Sequence, residues 1–224
     1  MRLLAAGIVR PWRQWEPYLN TLDLQARKRG SPEGYNEPEL AVVPHKARAL
    51  ECTVEEAITN GLTGLKTHGY FMEALEGEWH RSARSSRPFS VIMMDLDGFK
   101  HVSDQGGHLE GDRVVEAVAT LLDARSRQPN VVARYGEDEF AILTPETNAQ
   151  QAEFLAERLR AAVEADDFLR AHEVTASIGI ATFPDHGRTP DEILRVADSG
   201  MYLAKQCNGN CVKVGSLSAN ARRH

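Results

Sequence analysis

The sequence predicts an α+β domain with a central, mostly antiparallel β-sheet flanked by helices and a ferredoxin-like core. Three observations lead to this fold class. Strand-like and helix-like apolar patterns alternate along the chain, and a β-hairpin interrupts the alternation. Apolar residues make up 42% of the 224 residues, which is enough for the core of one domain of ordinary size.

The chain divides by composition into a compact domain and its flanks. Residues 60–214 carry the regular apolar patterns and form the predicted domain. Residues 1–45 mix charge with Pro and Gly, which indicates an irregular, partly helical extension. Residues 46–59 contain good helix formers and predict a connecting helix, and residues 215–224 form a C-terminal tail.

The first elements follow from the spacing of their apolar residues. In "LKTHGYFMEALEGEWHRSAR" the aromatic residues and leucines recur at helical spacing, so this segment predicts a packed helix. The short apolar run "FSVIMMDL" predicts a buried strand that ends in an acid. In "GDRVVEAVATLLDARS" valines and leucines form one stripe of a further helix.

The second half begins with a hairpin. "NVVARYG" and "EFAILTP" predict two strands joined by an acidic turn, and "NAQQAEFLAERLRAAVEA" predicts the amphipathic helix that follows. "EVTASIGIATF" alternates as a strand does. The last helix is expected to begin with a capping box of Thr189 and Glu192, and a short strand at "CVKVG" completes the domain.

Charge, cysteines and hydropathy exclude several classes of protein. A net charge of −6 argues against a nucleic-acid binder, since that binding depends on neutralising phosphates. The three cysteines form no disulfide framework, which suits the cytoplasm. The longest N-terminal apolar run, Leu3 to Val9, is too short to span a bilayer and is followed by no signal-peptide cleavage site.

Two acids at strand ends indicate a cation site. Asp95 ends its strand and Asp138 lies in the hairpin turn, so neighbouring antiparallel strands would bring both carboxylates to one Mg²⁺. Lys100, Lys205 and backbone N–H groups near Asp112 could bind phosphates, as phosphoryl transfer requires. Taken singly, these residues have an ordinary alternative as solvated surface charges, as do Asp97 and Glu139.

Five segments together resemble the GGDEF domain of diguanylate cyclases. They are "LTGL" (Leu62 to Leu65), "MDLDGFKHVSDQGGHLEGD" (Met94 to Asp112), "ARYGEDEF" (Ala133 to Phe140), "SIGIA" (Ser177 to Ala181) and "ADSGMYLAK" (Ala197 to Lys205). The resemblance implies a nucleotidyl-cyclase-like fold. It also implies condensation of two GTP molecules into cyclic di-GMP with Mg²⁺ or Mn²⁺ between two facing domains, hence a homodimer.

The resemblance also implies roles for individual residues. The metal ligands would be Asp95, the Leu96 carbonyl and Asp138. Asp138 and Glu139 would be catalytic. GTP or another guanine nucleotide would be bound by Lys100, Ser103, His108, Asp112, Gly136, Glu137 and Lys205.

Several departures from the family pattern concern the same pocket. Glu137 replaces a Gly and brings a carboxylate to the phosphate side, Ser103 replaces the guanine-binding Asn, and Gly209 replaces a phosphate-binding Arg. We therefore expect reduced or lost cyclase activity in a nucleotide- or partner-binding regulator. On this view Glu137→Gly and then Gly209→Arg should raise turnover. An active cyclase that tolerates Glu137 is the alternative, and altered base preference has only Ser103 in its favour.

The family's product-inhibition site is also altered. The resemblance places this site at Arg127 and Asn130, where Asn130 stands for an Asp. Without that negative charge the site is degenerate, and we expect no feedback inhibition by cyclic di-GMP.

Overall fold

The computed structural model describes residues 58–216 of the chain. The predicted extension 1–45, nearly all of the connecting helix 46–59 and most of the tail 215–224 lie outside the described residues. No helix within residues 58–216 has the length and apolar character needed to cross a membrane.

Each predicted element of the domain is found in the predicted order. The elements are β1 (Lys66–Thr67), α1 (His68–Ser85), β2 (Phe89–Asp97), α2 (Phe99–Arg125), β3 (Val131–Arg134), β4 (Glu139–Pro145), α3 (Ala149–Ala165), α4 (Asp167–Ala171), β5 (Thr175–Phe183), α5 (Pro190–Gln206) and β6 (Val212–Val214). Three features were not predicted: β1, α4 and the first part of α2, which starts at Phe99 and breaks at Gly107.

The six strands form one mixed sheet in the order β1-β3-β4-β2-β5-β6. The central pairings β3–β4, β4–β2 and β2–β5 are antiparallel, whereas the edge pairings β1–β3 and β5–β6 are parallel. The predicted fold class, a mostly antiparallel sheet flanked by helices, is confirmed.

Both faces of the sheet are covered, and β2 contributes to both cores. Ile92 and Met94 pack with residues of α2 and α3 on one face. Val91 and Met93 pack with residues of α1 and α5 on the other. Because side chains alternate along a strand, Asp95 continues the second series and faces the side that α5 covers.

Glycines allow α5 to lie directly against the sheet. A Cβ atom at Gly179 of β5 would be 1.9 Å from the Ala197 carbonyl oxygen, and one at Gly200 would be 2.6 Å from the Lys213 carbonyl oxygen. A third glycine, Gly215, meets the same helix from the chain after β6. This close approach fixes the position of the helix that carries Lys205.

The predicted capping box of α5 is only half formed. The Thr189 hydroxyl accepts a hydrogen bond from the Glu192 N–H, but the Glu192 carboxylate accepts from the Arg188 N–H instead of the Thr189 N–H. The reciprocal capping box belongs to α3, where Asn148 and Gln151 bond each other's backbone N–H.

Candidate functional site

Asp95 stands at the centre of the candidate site. Its Cα lies opposite Glu139 of β4 on one side and Ser177 of β5 on the other. The pKa of Asp95 is raised from 3.8 to about 6, chiefly by burial; Lys205 opposes this rise, and the negative charges of Asp138 and Glu139 contribute to it. The two predicted acids Asp95 and Asp138 therefore lie within electrostatic reach of one another.

The hairpin turn is tied to the end of β2 by backbone contacts. The Leu96 N–H donates to the Asp138 carbonyl oxygen at 3.2 Å, and the Tyr135 N–H donates to the Glu139 carbonyl oxygen at 2.8 Å. Arg134 donates to the carbonyl oxygens of Gly136 and Glu137 at 3.2 and 2.8 Å. These bonds hold the acidic turn in one conformation beside Asp95.

Glu137 is the exposed residue of this turn. Its φ is negative, so the backbone here does not require a glycine. Gly136 has less room, because a Cβ atom there would lie 2.7 Å from Glu139 Oε2. The Gly-to-Glu departure at position 137 is thus compatible with the fold, and its effect concerns whatever approaches the turn from outside.

Lys205 reaches the acids from α5. Its ammonium group forms an ion pair with Asp95 Oδ1 and lies 3.7 Å from Asp97 Oδ1. Lys205 was predicted to bind phosphates, which stays a prediction; the structure shows its ammonium group at the carboxylates of β2.

Asp97 accepts hydrogen bonds from three other residues, so its interpretation as a solvated surface charge was wrong. Its carboxylate accepts hydrogen bonds from the hydroxyls of Thr175 and Ser177 at 3.0 and 2.7 Å. The Asn210 N–H donates to it at 2.9 Å. Asp97 follows Asp95 by two residues on one strand, and that spacing alone could have indicated a shared face.

The loop after α5 is folded around Asp97. Asn208, Gly209 and Asn210 all have left-handed φ values, of 71°, 72° and 47°. A Cβ atom at Gly209 would lie 2.8 Å from Asp97 Cγ. This geometry argues against the expectation that Gly209→Arg would restore a phosphate-binding cation, since any side chain there meets the Asp97 carboxylate with its backbone strained.

Asn210 also connects this loop to α3. Its side-chain carbonyl accepts from Arg160 at 2.7 Å, and its amide donates to Glu164 at 2.7 Å. Arg160 bonds Glu157 and Glu164 as well. The Arg160 guanidinium is therefore occupied and does not replace the missing phosphate-binding Arg.

The predicted base-binding residues lie on the two parts of α2. The helix breaks at Gly107, where φ is 74° and ψ is 178°. A Cβ atom at Gly111 would lie 3.7 Å from the Ser103 Cβ, so the turn that carries Asp112 packs beside Ser103. Lys100 and His108, also predicted to bind nucleotide, are exposed on the same helix.

His172, which follows α4, contacts the second part of α2. Glu110 accepts from Arg113 at 2.9 Å and contacts His172 Nε2 at 2.9 Å, while His172 Nδ1 lies 2.8 Å from the Phe168 carbonyl oxygen. These contacts fix the turn next to Asp112. The sequence analysis did not identify them.

The donor set fits a hard divalent cation. Two carboxylates and one main-chain carbonyl are oxygen ligands, and Mg²⁺ typically adds water and phosphate oxygens to such a set. Within residues 58–216, no three His, Cys, Asp or Glu side chains cluster as a metal site. The predicted set of Asp95, Asp138 and the Leu96 carbonyl needs only two side chains.

A separate cavity of about 480 Å³ contains the predicted inhibitory residues Arg127 and Asn130. Arg158 and Phe154 of α3 line it too, and the sequence analysis missed both. Arg158 donates to the Arg125 carbonyl oxygen at 2.8 Å, and the Phe154 side chain is 72% exposed. Among residues 58–216, those that line the cavity include two arginines and no acidic residue.

Comparison with known proteins identifies relatives of this chain. The family model described as "Diguanylate cyclase, GGDEF domain" matches residues 57–211. The chain is 38% identical over 180 residues to the bifunctional diguanylate cyclase/cyclic di-GMP phosphodiesterase MucR of Pseudomonas aeruginosa, which is 79% of this chain and 26% of that protein. It is 35% identical over 168 residues to the response regulator PleD of Caulobacter vibrioides, which is 73% of this chain and 37% of that protein.

The chain thus spans about a quarter to two fifths of the length of these relatives. Among solved structures, it is similar to the coiled coil and GGDEF domain of DgcB from Caulobacter crescentus in complex with c-di-GMP. That match has a TM-score of 0.73 at 26% identity and covers 85% of this chain and 98% of that one.

Proposed function

The chain belongs to the GGDEF domain family of diguanylate cyclases, and on this basis we propose that it is a nucleotide- or partner-binding regulator in cyclic di-GMP signalling with reduced or lost cyclase activity. Its ligands are a guanine nucleotide and Mg²⁺ or Mn²⁺.

The loop around Asp97 carries this proposal. Gly209 occupies the position of the family's phosphate-binding Arg, its φ is 72°, and a Cβ atom there would lie 2.8 Å from Asp97 Cγ. A side chain at position 209 would be strained and would meet the Asp97 carboxylate, so the loop provides no phosphate-binding cation there. With one fewer cation and the added carboxylate of Glu137, the site stabilises a triphosphate less well.

The remaining residues retain a binding role. Asp95, Asp138 and the Leu96 carbonyl would hold the cation, which neutralises phosphate charge when it is bound. Asp112 would accept hydrogen bonds from the guanine edge, with Ser103 beside it, and Lys205 would contact the phosphates. Condensation of two GTP molecules would further need a second copy of the domain facing the first.

A second candidate function is an active diguanylate cyclase. Its supporting observation is the position of Glu137, which is exposed and has an unstrained backbone. Its carboxylate could therefore point to solvent while a nucleotide binds.

The two functions differ in turnover relative to binding. Purified protein would be incubated with GTP and Mg²⁺, and cyclic di-GMP would be quantified by chromatography. Calorimetry with a non-hydrolysable GTP analogue would measure binding separately. Asp138→Asn supplies the baseline, because it removes a proposed metal ligand and catalytic acid.

We expect binding of the analogue with product formation within about tenfold of the Asp138→Asn baseline, a difference of about 1.4 kcal/mol in barrier. Turnover several hundredfold above the baseline would establish the active cyclase instead. Failure of the analogue to bind would contradict the nucleotide-binding role.

A further inference from the structure

Lys205 faces two carboxylates of one strand. Its ammonium nitrogen is paired with Asp95 Oδ1 and lies 3.7 Å from Asp97 Oδ1. The lysine side chain is 36% exposed, whereas those of Asp95 and Asp97 are 17% and 20% exposed. The lysine ammonium group is therefore more exposed to solvent than the two carboxylates that it contacts.

The two acceptors differ in their other contacts. Asp97 is held by Thr175, Ser177 and the Asn210 N–H, so its oxygens are fixed by three hydrogen bonds. Asp95 instead faces the charges of Asp138 and Glu139. Asp95 therefore requires a nearby positive charge, and Asp97 can accept one without rearrangement.

We propose that Lys205 alternates between Asp95 and Asp97, and that it competes with a divalent cation for Asp95. The lysine ammonium and a metal ion both bind carboxylate oxygen, and the same Asp95 oxygen cannot serve both well. Rotation of the terminal bonds of Lys205 brings it to Asp97 without movement of α5. The inference rests on the proposed function in that it takes Asp95 as a metal ligand.

One consequence is an order of binding. Without nucleotide, Lys205 lowers the affinity of the site for a divalent cation. Once its partner is Asp97, Lys205 points away from Asp95 and is available to phosphate oxygens. Cation and nucleotide therefore bind with positive coupling, and the same lysine accounts for both effects.

The test is Mn²⁺ binding without nucleotide, measured by electron paramagnetic resonance. Lys205→Met removes the competing charge and should raise Mn²⁺ affinity about tenfold or more. Lys205→Arg keeps the charge and should stay close to the parent protein. Arg195→Met is the matched control, since it removes an exposed positive charge of the same helix whose guanidinium donates to the Asp191 carbonyl oxygen and not to Asp95.

Asp97→Asn tests the second partner. The amide keeps an oxygen for the Asn210 N–H but loses the charge that receives Lys205, so Mn²⁺ affinity should fall severalfold. The same substitution in the Lys205→Met background should have little effect, because the lysine through which Asp97 acts is gone. An equal loss in both backgrounds would mean that Asp97 acts through general charge, which overturns the proposal.

Thermal unfolding provides a second measurement. Mn²⁺ should raise the melting temperature of Lys205→Met more than that of the parent, because a more tightly bound ligand stabilises the folded state more. Equal Mn²⁺ affinity in Lys205→Met and the parent overturns the proposal and leaves the metal site intact. Absence of Mn²⁺ binding in every variant, Lys205→Met included, overturns the metal site itself.

Discussion

Asp95 is a buried carboxyl group that must be ionised to bind a cation, and burial disfavours the ionised form. Its raised pKa, about 6, means that the folded protein binds a proton at Asp95 more readily than the unfolded chain does. Ionised Asp95 therefore destabilises the folded protein, and this free-energy cost is absent below the unfolded pKa near 4. It develops as the pH rises from about 4 to about 6 and is complete above that range.

The first prediction follows from this sign. In EDTA, Asp95→Asn should stabilise the protein by about 1 to 3 kcal/mol at pH 8, since it removes the cost of an ionised buried carboxylate. The gain should shrink towards zero as the pH falls from 6 to 4. Urea unfolding at pH 4, 6 and 8 measures this, with the exposed Asp123→Asn as a control for the loss of one carboxylate. A gain that does not depend on pH would contradict the assignment to Asp95.

Glu137 is the residue for which charge and size can be separated. Glu137→Gly should raise cyclic di-GMP formation, because it removes both the carboxylate and the side chain that meet an approaching triphosphate. Glu137→Gln should recover part of that gain if charge dominates, and none if size dominates. Product would be quantified over time at saturating GTP. Unchanged turnover in both variants would show that Glu137 points away from the phosphates.

Among the elements, the loop after α5 carries the strongest constraint. The glycine at 209 has a positive φ, and an added Cβ atom would lie 2.8 Å from Asp97 Cγ, so Gly209→Ala should destabilise the protein by about 1 to 3 kcal/mol. Gly209→Arg should be at least as harmful and should not rescue activity. Denaturant unfolding measures both variants.

The same substitution in α1 is the matched control. Gly77 is exposed in that helix, and a Cβ atom there would meet nothing within 4 Å. Gly77→Ala should therefore stabilise the protein by about 0.5 to 1 kcal/mol. A destabilising effect at Gly77, or a neutral one at Gly209, would contradict the described backbone.

The predictability of each element followed its apolar pattern. α1, α3 and α5 carry a clear stripe at helical spacing, and β2 is an uninterrupted apolar run, so each was predicted. The first part of α2, "FKHVSDQG", is mostly polar, and α4 has only five residues, so neither shows a full helical period. β1 has two residues, and its pairing with β3 depends on a distant segment.

Residues of the candidate site could be predicted from the sequence where they lie at strand ends or within the family's motifs. Asp95, Asp138 and Lys205 were predicted from the order and spacing of the motifs, and the structure brings Lys205 to Asp95. Asn210 and Arg158 were not, because their roles depend on contacts between α3 and other segments far away in sequence. Long-range side-chain partners leave no local pattern in one sequence.

At the scale of the whole molecule, the proposed cation ligands Asp95 and Asp138 do not line the cavity that contains Arg127. The cavity offers guanidinium groups from Arg127 and Arg158, but Asn130 provides no carboxylate to pair with a ligand donor. Cyclic di-GMP should therefore bind no more tightly than about 1 μM, and its binding should not depend on Arg127.

Asn130→Asp should create a tight site for cyclic di-GMP. Calorimetry would compare the parent, Asn130→Asp, and Asn130→Asp combined with Arg127→Ala. The single variant should bind at least tenfold more tightly than the parent, and the added Arg127→Ala should abolish the gain. A tight, Arg127-dependent site in the parent protein would refute the loss of feedback.

The glycine contacts between α5 and the sheet limit how this domain can respond to a signal. With backbone atoms of Gly179, Gly200 and Gly215 in direct contact, α5 has no slack in which to slide or rotate. A stimulus would then leave the internal arrangement of Asp95 and α5 unchanged. In the two-copy arrangement that condensation of two GTP molecules would require, a stimulus would change the position of one domain relative to the other without distorting the fold.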